Sequence, residues 1–177
     1  NGQNVKRVAL GEPIGYFYGY NVIGVFQDED ELASYPHMAL TEVGDFKYED
    51  VTGDGFLTPE DRTYLGSPVP DFIFGLNGSV SYKGFTLSTL FSFVADRYRQ
   101  NSSLAIVEDS GLAGFANQST TLLNAWTTPG QVTDIPSLAF GGLRAVDGDR
   151  YIEDASFLRL RNITLSYTVD SKILEAG

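Results

Sequence analysis

The sequence predicts an all-β fold that forms part of a large transmembrane antiparallel β-barrel with long extracellular loops. The first observation is composition, since 10 Tyr, 12 Phe and 19 Gly among 177 residues favour β structure. The second is an alternation of apolar and small polar residues over segments of about ten residues, the length of a membrane-spanning strand. The third is that long connections alternate with a minimal turn, which is typical of outer-membrane barrels.

The composition also excludes several functional classes. The formal charge is −11, whereas binding to nucleic-acid phosphates requires clustered Lys and Arg. The absence of cysteine excludes disulfide bonds, thiolate metal sites and a cysteine nucleophile. The single His37 follows Pro36 without a second imidazole to pair with, so we interpret it as a surface histidine and not as a catalytic one. No apolar run reaches the roughly 18 residues of a transmembrane helix.

The clearest pair of strands extends from Phe72 to Val94, with a two-residue turn at Lys83-Gly84. Gly accepts the positive φ that such a turn requires. Each strand places apolar residues on one face and small polar residues on the other, with Thr89 and Leu90 as exceptions. The apolar positions are Phe72, Phe74, Leu76, Val80, Tyr82, Phe85, Leu87, Phe91 and Phe93, and the opposite face has Ile73, Gly75, Asn77, Ser79, Ser81, Thr86, Ser88 and Ser92. Composition alone does not distinguish this barrel hairpin from one in a soluble β-sandwich.

Two further segments are predicted to be strands. Ile14 to Phe26 is dense in Tyr, Phe, Val and Ile. Phe157 to Val169 alternates along its second half, but Leu158 and Leu160 have the opposite parity. A β-bulge, or a strand that continues beyond the apolar zone, would explain this change of parity.

The connections between the predicted strands differ greatly in length. Residues 27–71 and 95–156 are long and rich in Gly, Pro and Asp, whereas Lys83-Gly84 is minimal. Loops of this length count against a compact soluble domain, but outer-membrane barrels combine long extracellular loops with short periplasmic turns. The chain would therefore run outward from Ile14 to Phe26 and inward from Phe72 to Tyr82. The next two strands would again run outward and then inward.

Residues 50–61 fit the twelve-position calcium-binding loop. Oxygen ligands fall on Asp50, Thr52 and Asp54 at positions 1, 3 and 5, and Gly55 stands where the loop turns sharply. Position 7 is Phe56, which would contribute its backbone carbonyl, position 9 is Thr58, and Asp61 closes the loop. We therefore predict one structural Ca²⁺ here. The alternative is a surface Asp-Gly turn with solvated carboxylates, because short motifs often match by chance.

Several motifs then follow one another in a specific order. They are Gly15-Tyr-Phe-Tyr-Gly-Tyr20, Gly24-Val-Phe26, Gly44-Asp-Phe-Lys-Tyr-Glu-Asp50, the Asp-Gly loop, Leu65-Gly-Ser-Pro-Val-Pro70, Tyr82-Lys-Gly-Phe-Thr-Leu87, Ala125-Trp126 and Tyr151-Ile-Glu-Asp-Ala-Ser-Phe-Leu-Arg-Leu-Arg-Asn-Ile-Thr-Leu-Ser-Tyr167. In order and spacing they resemble the SusC/RagA family of TonB-dependent outer-membrane receptors, over nearly the whole chain.

The resemblance implies a barrel of about 22 strands with an N-terminal plug. Residues 1–177 would be a fragment of that barrel, with the plug and the remaining strands outside this chain. Such receptors import glycan fragments or peptides across the outer membrane. A SusD-like lipoprotein covers the mouth and TonB supplies energy through the missing N-terminal part. The chain begins at Asn1 without Met or a signal peptide, so we expect its true start to lie elsewhere.

Other functions remain open at this point. The alternative is a calcium-dependent carbohydrate-binding module, or a dockerin-like adhesion module, of a secreted protein. We do not expect an enzyme, because Glu153 and Asp154 are adjacent and would point to opposite sides of a strand, whereas glycosidases need two facing carboxylates. Trp126 and Tyr98 are candidates for sugar contact, although packing is the preferred interpretation for Trp126.

Overall fold

The computed structural model describes residues 6–108, 117–138 and 148–169. The chain divides into two compact units, each considered by itself. The loop unit comprises Asn1–Pro68 and Arg99–Glu153, and the sheet unit comprises Val69–Tyr98 and Asp154–Gly177. None of the helices within the described ranges is long and apolar enough to span a membrane.

Short strands and helices precede and follow one long hairpin. In chain order the regular elements are β1 (Lys6–Arg7), β2 (Tyr16–Gly19), β3 (Val22–Val25), α1 (Glu29–Ser34), β4 (Phe46–Tyr48), β5 (Thr63–Gly66), β6 (Phe72–Tyr82), β7 (Phe85–Ala95), β8 (Tyr98–Gln100), α2 (Ser102–Glu108), β9 (Ile152–Asp154) and β10 (Phe157–Tyr167). Single 3₁₀ turns lie at Pro59–Asp61, Thr120–Asn124 and Asp149–Tyr151. The short strands β8 and β9 form a two-stranded sheet.

The sheet unit contains an antiparallel sheet in the order β10-β7-β6. Strands β6 and β7 pair without interruption from Phe72↔Ala95 to Tyr82↔Phe85, which confirms the predicted hairpin. Lys83 and Gly84 have φ values of 46° and 86°. Two consecutive positive φ values are typical of the tight turns whose twist matches that of the flanking strands.

Strand β10 is irregular at one point, where its parity changes. Leu160 lies opposite Phe91 and Asn162 lies opposite Leu90, so Arg161 is an extra residue in the ladder. The bulge returns Ile163, Leu165 and Tyr167 to the face that Leu158 and Leu160 occupy. Of the two explanations for the parity change, the bulge is therefore correct.

The three strands present one apolar and one polar face. Residues directly opposite one another lie on the same face of a sheet. Phe74, Val80, Leu87 and Phe91 thus share the predicted apolar face, and the two other strands extend it as the rows Phe74–Phe93–Leu158 and Val80–Leu87–Leu165. Asn77, Ser79 and Ser88 lie on the other face, in the rows Asn77–Leu90–Asn162 and Ser79–Ser88–Thr164. The predicted division of faces is confirmed.

The segment Ile14 to Phe26 was predicted as a single barrel strand, and that prediction is wrong. Strand β2 pairs with β1 and β5, whereas β3 pairs with β4 in a different sheet. The neighbouring residues Tyr16 and Phe17 are 4% and 1% exposed, so consecutive side chains are buried on both sides of the backbone. A barrel strand has one face towards lipid and the other towards the aqueous lumen, so neither face is buried in protein. The density of aromatic residues reflects a protein core and not a barrel strand.

Where the structure describes them, the long connections are also not irregular loops. Their residues supply β4, β5, α1 and α2, and the loop unit has its own aromatic core. That core contains Tyr20, Val25, Phe46 and Tyr48, with Trp126 packed against it. Packing is thus confirmed as the role of Trp126. The core residues come together from distant parts of the chain, so packing orders this part of the long connections.

Candidate functional site

The Asp50–Asp61 loop connects strand β4 to strand β5. A 3₁₀ turn over Pro59–Asp61 ends the loop, with Thr58 as its N-cap. The Thr58 side chain accepts a hydrogen bond from the Glu60 amide at 3.2 Å. Strand β5 follows directly, where a dockerin loop would lead into a helix. The dockerin-like alternative therefore lacks its helix in this structure.

Asp61 is the organising residue of this loop and is fully buried, with 0% exposure. Its Oδ1 accepts hydrogen bonds from the Thr52 amide at 3.1 Å and the Thr52 hydroxyl at 2.9 Å. Its Oδ2 accepts from the Thr58 amide at 2.7 Å. The Thr58 amide, followed by the two Thr52 donors, lowers the pKa of Asp61 to about 2, although burial acts in the opposite direction. This carboxylate is therefore ionised at neutral pH and ties the two ends of the loop together.

Of the other predicted calcium ligands, Asp50 and Thr52 lie close to Asp61, because the Thr52 hydroxyl is 3.3 Å from Asp50 Oδ1 and 2.9 Å from Asp61 Oδ1. The carboxylates of Asp50 and Asp54 also accept hydrogen bonds from loop amides. Asp50 accepts from the amides of Gly53 at 2.7 Å and Gly55 at 2.9 Å. Asp54 accepts from the Phe56 amide at 2.8 Å, and the Phe56 side chain is 70% exposed. Within residues 6–108, 117–138 and 148–169, no group of three or more His, Cys, Asp or Glu side chains is placed to hold a metal ion. The described loop is thus closed by its own amides, and calcium binding stays a prediction.

The polar face of the sheet unit is the second candidate surface. Small hydroxyl and amide side chains predominate on it, with Leu90 and the end row Ile73–Val94–Phe157 as apolar exceptions. Ser81 and Thr86 form a hydrogen bond between their hydroxyls at 2.8 Å. Arg159 lies in the row Gly75–Ser92–Arg159, beside two small residues. Its guanidinium lies 4.9 Å from the centroid of the Phe157 ring. A face of mostly small polar side chains opposite an apolar face is typical of a strand that separates water from lipid.

Sequence reasoning missed a pair of carboxyl groups at the end of the hairpin. Asp71 precedes β6 and Asp96 follows β7, and the Phe72↔Ala95 pairing brings them opposite each other. The hydrogen bond between them raises the pKa of Asp96, and the negative charges of Asp71 and Asp154 act in the same direction. The hairpin register was predictable, so this proximity could have been found from the sequence.

The loop unit also contains polar contacts that no local pattern indicated. Gln27 accepts hydrogen bonds through its side-chain oxygen from Trp126 Nε1 and from the Gly130 amide, both at 3.1 Å. Arg150 forms an ion pair with Glu108 at 2.9 Å, and both side chains are largely buried. These partners are 99, 103 and 42 residues apart in sequence, respectively. Such contacts connect segments whose proximity depends on the tertiary structure.

The residues that were considered for catalysis take separate structural partners. Glu153 accepts a hydrogen bond from the Asn101 side chain at 2.8 Å. Asp154 accepts from the Ser156 amide at 2.8 Å. His37 Nδ1 lies 3.0 Å from the Tyr35 carbonyl oxygen, on an exposed side chain. Each of these side chains therefore has a local hydrogen-bond partner, which is consistent with a structural role.

Comparison with known proteins gives relatives of one kind. The chain is 31% identical over 169 residues to TonB-dependent receptor P3 of Formosa agariphila, covering 93% of this chain and 16% of that receptor. It is 28% identical to TonB-dependent receptor P26 of the same organism, over 95% of this chain and 17% of the receptor. It is 32% identical over 126 residues to the TonB-dependent receptor SusC of Bacteroides thetaiotaomicron, covering 68% and 11%. No protein-family model matches the chain.

The chain thus spans less than a fifth of the length of each of these relatives. Among solved structures, its fold is similar to that of the RagAB peptide importer in the open-open state, with a TM-score of 0.64 at 22% identity. That similarity covers 96% of this chain and 18% of the other one. The relatives are named as receptors, which supports the expectation that this chain is not an enzyme.

The fold and the sequence relatives both indicate a β-barrel, and the relatives are proteins of the outer membrane. The three-stranded sheet with its two unlike faces has the form of a barrel wall, and the relatives supply the kind of barrel. The chain belongs to the SusC/RagA family of TonB-dependent receptors, which are proteins of the outer membrane.

Proposed function

We propose that this chain forms part of the barrel wall of a TonB-dependent transporter that imports glycan fragments or peptides. The single observation that carries the proposal is the division of the β10-β7-β6 sheet into an apolar face and a face of small polar residues. The apolar face would contact lipid and the polar face would line the lumen. The plug, the remaining strands and the segment that contacts TonB would lie outside residues 1–177.

The nature of the substrate is a choice between two chemical classes. One relative is SusC, and the structural neighbour is named a peptide importer. The polar face offers hydroxyl and amide groups, which hydrogen-bond equally well to sugar hydroxyls and to peptide groups. Glycan fragments and peptides therefore both stand as substrates of the proposed transporter.

Uptake measurements with the intact receptor in its own host test transport. We expect deletion of the receptor to abolish the uptake of members of either a labelled oligosaccharide panel or a labelled peptide panel. We further expect Ser88→Trp, which would place a large ring on the polar face, to slow uptake while the barrel still assembles. Leu87→Trp is the matched control, because it adds the same ring on the apolar face and should leave uptake unchanged. Normal uptake of both panels in the deletion strain would refute the proposal.

A SusD-like surface lipoprotein is the proposed partner at the mouth of the barrel. The support is the relationship to SusC and the likeness in fold to the RagAB peptide importer. Purification of the tagged receptor from detergent-solubilised outer membranes should recover such a lipoprotein in a fixed ratio. Recovery of the receptor alone, in a detergent that preserves transport, would count against this partner.

The calcium hypothesis for Asp50, Thr52, Asp54, Phe56 and Asp61 is kept as a separate proposal. An ion would have to compete with the loop amides that now bind the carboxylates of Asp50 and Asp54. Affinity should therefore be weak, on the order of 10⁻⁴–10⁻³ M, as in extracellular modules. Calorimetry on the intact receptor should detect binding that Asp54→Ala removes. No heat of binding at millimolar Ca²⁺ would leave the self-closed loop as the full account.

A further inference from the structure

The apolar face of the sheet unit is not uniform, because a cleft opens at one end of it. The cleft has a volume of about 250 Å³ and is lined by Phe74, Leu76, Phe91, Phe93 and Leu158. These residues belong to two neighbouring rows of the ladder, towards the end of the sheet opposite the Lys83-Gly84 turn. All the lining side chains are hydrocarbon, so the cleft suits an apolar occupant and offers no hydrogen bond.

All three strands of the described sheet contribute to the cleft. Its middle residues Phe91 and Phe93 lie on β7, which is paired on both sides. Any further strand of a barrel would add to the outer edge of β6 or β10, beyond the lining residues. Additional strands would therefore leave the opening of the cleft facing the same medium as the rest of the apolar face.

That medium is the lipid bilayer of the outer membrane, where receptors of this family lie. The cleft is continuous with the apolar surface formed by the row Val80–Leu87–Leu165. Phe74, Leu76 and Phe93 remain 58%, 54% and 38% exposed, so no residue in the described part of the chain fills the space. A cavity of roughly 150 Å³ with similar lining is large enough to admit benzene, so this cleft has room for a length of hydrocarbon chain.

We propose that the cleft is a binding site for one acyl chain of a membrane lipid, in the leaflet at the end of the sheet opposite the Lys83-Gly84 turn. The chain would lie between the rings of Phe74, Phe91 and Phe93, with Leu76 and Leu158 closing its ends. Van der Waals contact on several sides distinguishes such a bound chain from the fluid lipid around it. The inference rests on the barrel-wall part of the proposed function and not on transport, so a failed uptake assay would not affect it.

The test uses the intact receptor in nanodiscs of phosphatidylcholine with brominated acyl chains, imaged by electron cryomicroscopy. We expect ordered, bromine-enhanced density for one chain in the cleft, above the level over the rest of the apolar face. Leu76→Trp should fill the cleft and abolish that density. Val80→Trp is the matched control on the same strand and face, and should keep it. Leu158→Phe on β10 is a second filling variant, for use where Leu76→Trp does not assemble.

Three results would overturn the proposal. The wild-type cleft could show no density above the surrounding face. The density could persist unchanged in the filling variants. Protein density, from a second receptor or another segment of the same one, could occupy the cleft. Because sheet assembly is visible in the same images, a failure of the barrel-wall assignment would be distinguished from an empty cleft.

Discussion

At the scale of single residues, Asp61 holds its loop together through a buried carboxylate. A buried charge is costly unless hydrogen bonds compensate it, and here amides and hydroxyls from Thr52 and Thr58 do so. The twelve-residue spacing that indicated a metal site also brings Asp61 back to the start of the loop. The same pattern is thus consistent with a loop that closes on itself.

We expect Asp61→Asn to loosen this loop. The amide group of Asn offers one acceptor oxygen where the carboxylate offers two. The amide of Thr52 or Thr58 therefore loses a hydrogen bond to a charged group, at a cost of about 1.5–3 kcal/mol. Hydrogen exchange of residues 50–62 in the intact receptor should become faster. Asp54→Asn is the control, because Asp54 is exposed and its carboxylate accepts a hydrogen bond from the Phe56 amide at the loop surface. Equal exchange in both variants would contradict the role of Asp61.

The same loop should respond to acid in a defined direction. Because the pKa of Asp61 is lowered from 3.8 to about 2, its contribution to stability is fully present above pH 3.8. That contribution is lost as pH falls through about 2, where the folded state must take up a proton. Residues 50–62 should therefore open selectively in acid, as followed by NMR of the loop in the intact receptor. In Asp61→Asn this pH dependence should be absent, and its persistence would assign it to another group.

Gly44 is a residue whose role is steric. Its φ is 90°, and an added Cβ would lie 2.6 Å from Trp126 Cε3 and 2.8 Å from Ser137 Cβ. We expect Gly44→Ala to destabilise the loop unit by about 1–3 kcal/mol through overpacking, in addition to backbone strain. Gly53→Ala separates the two effects, because Gly53 also has positive φ but nothing within 4 Å. Denaturation of the intact receptor, monitored by hydrogen exchange around Trp126, should show a larger loss of stability for Gly44→Ala than for Gly53→Ala.

At the scale of elements, parity decides what each strand faces. Strand β10 carries one residue too many for a simple alternation, and the bulge at Arg161 absorbs it. Without this bulge, Ile163, Leu165 and Tyr167 would lie on the polar face, because a shift of one residue turns every following side chain over. The bulge therefore keeps the apolar face continuous across the three strands.

Neighbouring positions in β6 should differ sharply in their tolerance of charge. Leu76 lies on the apolar face and Asn77 on the polar one, both near the middle of the strand. Lys at the lipid-facing position should cost about 2–4 kcal/mol and reduce assembly, whereas Lys towards the lumen should be tolerated. The measurement is the yield of folded receptor in outer membranes, judged by its resistance to denaturation in detergent. Should Asn77→Lys prove the more harmful of the pair, the faces would be assigned the wrong way round.

At the scale of the whole molecule, the sheet unit depends on neighbours that its described residues do not supply. Strand β6 pairs with β7 alone among the described strands, and every residue of β6 is exposed. An open sheet with unpaired edges and an exposed apolar face is unstable in lipid and aggregates in water. The loop unit differs, because its aromatic core is internal.

We therefore expect that the isolated 177-residue chain does not form a self-sufficient monomer. Without detergent it should aggregate, and in detergent it should remain bound to micelles through the sheet unit. Light scattering after size-exclusion chromatography, with and without detergent, measures this directly. A monodisperse monomer in plain buffer that unfolds cooperatively would contradict the assignment of the sheet to a barrel wall.

The sequence by itself determined the features that depend on neighbouring residues. The hairpin at Lys83-Gly84, its register, and the two faces of β6 and β7 follow from an alternation of period two and from a glycine that accepts positive φ. The parity change in β10 was visible too, although the sequence left two explanations open. Short-range patterns suffice here because each strand of a barrel wall meets the same two media along its length.

Only the tertiary structure decided how the remaining residues are used. The aromatic residues from Tyr16 to Phe26 form a core, because β4, β5 and Trp126 pack against them from far along the chain. The Asp50–Asp61 spacing was visible in the sequence, but the amides that donate hydrogen bonds to Asp50, Asp54 and Asp61 were not. Burial and hydrogen bonding depend on which distant segments meet, and the periodicity of one segment carries no information about its partner.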